Sequence, residues 1–116
     1  MAGNITASDV WAAISEGKRI ALPNTFSMET LSGDLTLDES YGNIISLDPG
    51  GAARDVTLPA AELGAIYLIV NTADAPETIT VKRPAGTTVT TCAQNQAVLI
   101  SGSATDWVEA ATFVTA

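Results

Sequence analysis

Ile44-Ile45-Ser46-Leu47-Asp48-Pro49-Gly50-Gly51-Ala52-Ala53-Arg54-Asp55-Val56-Thr57-Leu58-Pro59 (44–59) reads as strand, turn, strand. Ile45 and Leu47 alternate with Ser46 and Asp48, the two-residue period of a pleated chain with one face in a core. Pro49-Gly50-Gly51 stops that run, because proline lacks an amide donor and glycine reaches backbone angles other residues avoid. Asp55-Val56-Thr57-Leu58 restarts the alternation and Pro59 ends it.

The pattern continues on both sides. Leu35-Thr36-Leu37-Asp38 precedes it, with a turn at Tyr41-Gly42-Asn43. Ala65-Ile66-Tyr67-Leu68-Ile69-Val70 follows as an unbroken apolar run, which predicts a strand buried on both faces. Thr78–Lys82, Thr87–Thr91, Gln96–Ser101, Trp107–Glu109 and Thr112–Val114 complete the set. Short strands spaced about 8–12 residues apart with brief connections predict an all-β fold, a small antiparallel β-sandwich or barrel. Leu35-Thr36-Leu37-Asp38, Ile45-Ser46-Leu47-Asp48 and Val56-Thr57-Leu58-Pro59 echo one another. The echo is compatible with a solenoid, but consecutive meander strands are the simpler reading.

The chain divides near residue 32, into an N-terminal arm (1–32) and a β domain (33–116). Within the arm, Thr6 and Asp9 have capping-box spacing, Val10, Trp11 and Ile14 form an apolar stripe, and Gly17 suits a helix end. A short helix over about 8–16 follows, too short to hold in water without a surface to pack against. Lys18–Leu31 reads as an extended arm with scattered apolar residues, among them Leu22, Phe26 and Met28. It either wraps its own domain or docks on another chain.

Composition narrows the chemistry. A formal charge of −8 disfavours nucleic acid and anionic membrane surfaces, both of which recruit basic residues. No apolar run approaches the ~20 residues of a membrane-spanning helix, and the start of the chain lacks the basic and apolar stretches of a signal peptide. Synthesis in the cytoplasm without disulfides is the expectation, Cys92 being the only cysteine. With no histidine, the nucleophile–histidine and histidine–metal constellations are excluded. The carboxylates fall mostly at turns, where capping explains them, and Asp34, Asp38 and Asp48 lack an EF-hand loop around them. No catalytic residue, cofactor or metal is expected. Trp107 is a core or interface residue before it is a sugar-stacking platform.

The stretch from Asn43 to Trp107 resembles a β-rich module of tailed-bacteriophage virion proteins, found in head decoration proteins and in fibre or tail-spike segments. The resemblance rests on Ile45-Ser46-Leu47-Asp48-Pro49-Gly50-Gly51, Arg54–Ala60, Gly64–Ala73, Glu77–Lys82, Val98-Leu99-Ile100 and Thr105-Asp106-Trp107. It implies a commonly trimeric structural protein of the virion. The compact domain with a leading arm fits a head decoration (cement) protein on the capsid surface, with the major capsid protein and its own copies as partners. A tail fibre, spike or connector component and a carbohydrate-binding module are the alternatives. The residues expected at the partner contact are Val10, Trp11, Ile14, Leu22 and Phe26.

Overall fold

A computed structural model describes residues 26–38 and 40–115. The helix expected over 8–16 and most of the arm lie outside these residues. Nine strands form: β1 (Phe26–Thr30), β2 (Leu35–Thr36), β3 (Ile44–Asp48), β4 (Arg54–Thr57), β5 (Ile66–Asn71), β6 (Ile79–Lys82), β7 (Thr88–Cys92), β8 (Gln96–Gly102) and β9 (Trp107–Val114). No helix occurs among the described residues.

The all-β expectation holds, and the antiparallel part of it is corrected. Both sheets are mixed and neither closes into a barrel: a five-stranded sheet in the order β1-β3-β5-β8-β9 and a four-stranded sheet in the order β2-β4-β6-β7. The first six strands alternate between the sheets, and within each sheet they pair in parallel. The chain thus coils through three turns, and only β7, β8 and β9 add antiparallel pairings. Periodicity marks strands without marking their partners, which is why brief connections suggested hairpins.

The echo noticed in the sequence is this coil. Leu35 lies beside Val56 and Thr36 beside Thr57, so the first and third copies sit in register in one sheet while the second lies in the other. Leu37 N–H and Leu58 N–H extend the ladder to Thr57 O and Lys82 O, each at 2.8 Å.

Between the sheets lies one core, including Ile45, Leu47, Ile69 and Ile100 from one side and Val56, Ile79 and Val81 from the other. Each such side chain stabilises the fold by roughly 1.5–3 kcal/mol through burial. Trp107 is 1% exposed, donates Nε1–H to Pro59 O at 2.8 Å and stands 5.6 Å from the Tyr67 ring. It is a core residue, closed to a sugar face. Cys92 fills a strand position in the same core, as a small hydrophobe should.

The end of the arm is a strand. Phe26–Thr30 pair in parallel with Ile44–Asp48, forming one edge of the five-stranded sheet. Ser27 Oγ accepts from Gly42 N–H at 2.9 Å, and Tyr41 OH donates to Glu29 at 2.9 Å, fastening it further. Its alternation was illegible because Ser27 and Glu29, on the core-side period, lie at the sheet's margin and stay polar.

Candidate partner-binding surface

The outward faces of the two sheets differ in chemistry. On the four-stranded sheet, Asp55, Thr80 and Thr91 form one row, and Thr57 lies beside Lys82. Lys82 Nζ approaches Asp55 at 2.8 Å. This is an ordinary solvated face.

The five-stranded sheet carries apolar side chains outward. Registers place Phe26, Ile44, Leu68, Leu99 and Ala111 in one row across all five strands. Met28, Ser46, Val70, Ala97 and Phe113 form the next. None of these ten positions is charged, in a chain of net charge −8. Phe26 is 54% exposed, Met28 76%, Ile44 40% and Phe113 49%. The inward neighbours Ile45, Leu47, Ile69 and Val98 are fully buried, whereas on the outward face Ala97 is buried, Leu68, Val70 and Leu99 are partly covered, and the exposed apolar residues lie toward the margins at Phe26, Met28, Ile44 and Phe113. That corrects the expectation for Ala65–Val70: Ile69 is buried, whereas Ile66, Leu68 and Val70 are only partly covered.

Of the five residues expected at the partner contact, Phe26 lies in the first apolar row, at the start of β1. Val10, Trp11, Ile14 and Leu22 lie outside the described residues. Sequence reasoning did not single out Leu68, Leu99 and Phe113, which the registers place in the same two rows. For Leu68 the signal was the absence of polar alternation in 65–70, which was read as burial on both faces; Leu99 and Phe113 were read only as strand positions.

Turns at both ends are built from side-chain caps. Asp38 accepts from Ser40 N–H and Oγ–H and Asp48 from Gly50 N–H, while Asp34 accepts across to Asp55 N–H in β4. The Ser40 hydroxyl, then the Ser40 amide, holds the Asp38 carboxyl below its usual range. Arg83 joins two turns: Nε donates to Asp106 at 2.7 Å, Nη1 to Thr88 O at 2.7 Å and Nη2 to Trp107 O at 3.2 Å. The carboxylates that could hold a hard cation are Asp48, Asp74 and Glu77, whose oxygens lie within 4.8 Å of one another. Asp48 already serves as a turn cap, Asp74 is exposed, and Glu77 Oε1 is buried without a hydrogen-bond partner. An open depression of about 380 Å³ beside Trp107 is lined by Asp38, Glu62, Tyr67 and Pro59. Burial, then Glu62, pushes the Tyr67 phenol above its ordinary value of 10.0, which leaves it a neutral hydroxyl at physiological pH.

No helix among the described residues is long and apolar enough to cross a membrane. No family model, curated protein or solved structure matches this chain.

Proposed function

We propose that this chain is a structural protein of a tailed-bacteriophage virion, a decoration (cement) protein that binds the outside of the mature head as a homotrimer on the major capsid protein. The observation that carries this reading is the pair of uncharged, mostly apolar rows on the outward face of the five-stranded sheet. Exposed apolar side chains grouped on one face mark interaction sites, and Phe26 sits among them at the start of β1. The resemblance of Asn43–Trp107 to virion modules supplies the class of partner.

The output is adhesion. A protein that binds the mature lattice and not its dispersed subunits stabilises the lattice by RT ln(1 + [L]/Kd) per site, about 2.7 kcal/mol at a hundred times Kd. Placed across subunit junctions, each trimer opposes the outward pressure of packaged DNA. The two-layered body resists shear because its strands are tied through a close-packed core.

The parallel coil favours one other reading. Parallel turns of this kind extend by adding further turns, as in fibre and spike shafts, so a tail connector is the second reading. Purified chain is mixed with mature heads and, separately, with isolated tails, then sedimented. Saturable binding to heads with a raised disruption temperature is expected. Binding to tails alone would move the assignment to the connector, and binding to neither would overturn both.

A further inference from the structure

We infer that Asp48, Asp74 and Glu77 form a site for one calcium ion, which clamps the end of β3 to the connection between β5 and β6. In the chain Asp48 follows Asp34 and Asp38, but the fold brings it to Asp74 and Glu77, which lie beyond β5. One oxygen from each of the three lies within 4.8 Å of the others. Oxygens sharing a calcium ion at about 2.3–2.6 Å stand at most about 5 Å apart, so a single ion reaches all three. Three carboxylates this close repel one another unless a positive charge lies among them. Among the described residues the ion pairs are Lys82 with Asp55 and Arg83 with Asp106, and neither touches this group. Arg54, the nearest base along the chain, gives its Nε–H to Pro49 O at 2.8 Å.

A second observation is independent of the clustering. Glu77 Oε1 is sealed from solvent and has no hydrogen-bond partner. The backbone of the same residue is fully engaged: Asn71 Nδ2 donates to Glu77 O at 2.8 Å, and Glu77 N–H donates to Ala75 O at 2.7 Å. Native proteins pair nearly all buried polar atoms, and a carboxylate oxygen cut off from water requires a donor or a cation. Its neighbours here, Asp48 and Asp74, are acceptors when ionised. A cation satisfies the orphaned oxygen and removes the repulsion in one step.

The donor set selects the ion. All three ligands are hard carboxylate oxygens and the chain has no histidine, which disfavours zinc and the softer metals. Asp48 Oδ1 is shared with Gly50 N–H and Asp74 is exposed, so the shell is irregular and completed by water. Calcium tolerates such a shell, whereas magnesium demands a near-ideal octahedron. Three protein ligands at the surface belong to the weak class of sites, with Kd about 0.1–1 mM. Asp48 closes β3 opposite Thr30 of β1, and Thr72 N–H bonds Leu47 O at 2.8 Å. The ion therefore braces this end of the five-stranded sheet against the crossing from β5 to β6 in the other sheet. It leaves the outward apolar rows open, and the inference is separate from the virion reading.

The full chain, stripped of metal with a chelator, is titrated with calcium chloride by calorimetry and melted with and without the salt. Expected are one ion per chain and, at about 10 mM calcium, a folding equilibrium shifted toward the native state by about ten- to hundredfold. Glu77→Gln keeps the shape and removes one charge. It should melt no lower than the metal-free parent and lose the calcium response. Asp74→Asn, at an exposed position, should weaken binding by about tenfold or more. Sodium chloride at matched ionic strength should leave the equilibrium unshifted. If it reproduces the shift, or if Glu77→Gln responds to calcium as the parent does, screening of the −8 charge is the cause and the site is refuted. Absence of both heat and stabilisation refutes it as well and leaves water as the partner of Oε1. Equal affinity for magnesium chloride would overturn the choice of calcium. No capsid is present in any arm, so success or failure here is distinct from binding to heads.

Discussion

Asn71 is the buried polar side chain on which three backbone segments converge. Its Nδ2 donates to Glu77 O at 2.8 Å and Cys92 O at 2.9 Å, and its Oδ1 accepts from Ala73 N–H at 2.9 Å. At 1% exposure these groups have no water to replace the amide. Asn71→Ala should cost about 2–3 kcal/mol, since it strands two carbonyls and one N–H in a dry site. Chemical denaturation would check it, and a change below half a kcal/mol would contradict the assigned role. Gly50 is constrained differently. Its φ is +76°, and a Cβ there would run into the carbonyl oxygen of Leu31. Gly50→Ala should destabilise by about 1–3 kcal/mol and loosen β1 first, because Leu31 N–H is held by Asp48 O beside it. Hydrogen exchange of β1 amides would show that order. Cys92 is buried, and desolvation pushes its thiol up to about 11. At pH 8 it should react with a thiol reagent only as fast as the fold opens, and prompt stoichiometric labelling of native protein would refute the burial.

At the scale of elements, the Arg83–Asp106 pair couples the β6–β7 turn to the start of β9. The Arg83 guanidinium first, and the Trp107 N–H second, hold the Asp106 carboxyl below its ordinary 3.8. A carboxylate depressed in the folded state adds stability that is present above the unfolded value and lost as pH falls through the folded one. Asp106→Asn should therefore weaken the fold at pH 6–7, with the gap to the parent closing as pH drops below about 4. Parallel pH–stability curves would show that the pair contributes nothing. The strands themselves were largely legible, because 44–48, 54–57 and 79–82 alternate cleanly. Strand β1 was not, since an edge strand with Ser27 and Glu29 on its inward period lacks the apolar beat that burial imposes. Trp107–Glu109 and Thr112–Val114 were read as two strands and form one, β9, because register shifts between Leu99 and Ile100 accommodate the break in pattern.

For the whole molecule, charge and apolar surface oppose each other. A net charge of −8 keeps copies apart at low salt, while the outward face of the five-stranded sheet favours contact. Screening shortens the Debye length from about 10 Å at 0.1 M salt to about 3 Å at 1 M. Self-association, measured by sedimentation equilibrium, should strengthen over that range; weakening with salt would indicate an interface built on ion pairs instead. Phe113→Glu, on the apolar row near the free edge β9, should reduce association at every salt concentration with little change in stability, the side chain being 49% exposed.

The order of polar and apolar residues was enough to establish an all-β chain and to locate its turns at Pro49-Gly50-Gly51 and Arg83–Gly86; it left Trp107 as a core or interface residue. These properties are local: proline, glycine and a two-residue period act through the chain's own backbone. Which strands lie side by side was decided only in three dimensions, where β1 meets β3 and β2 meets β4 by skipping a strand in the opposite sheet. The same assembly decided that one apolar face closes fully and the other only in part. A side chain's hydrophobicity states what it needs, and only its neighbours across the fold determine what it receives.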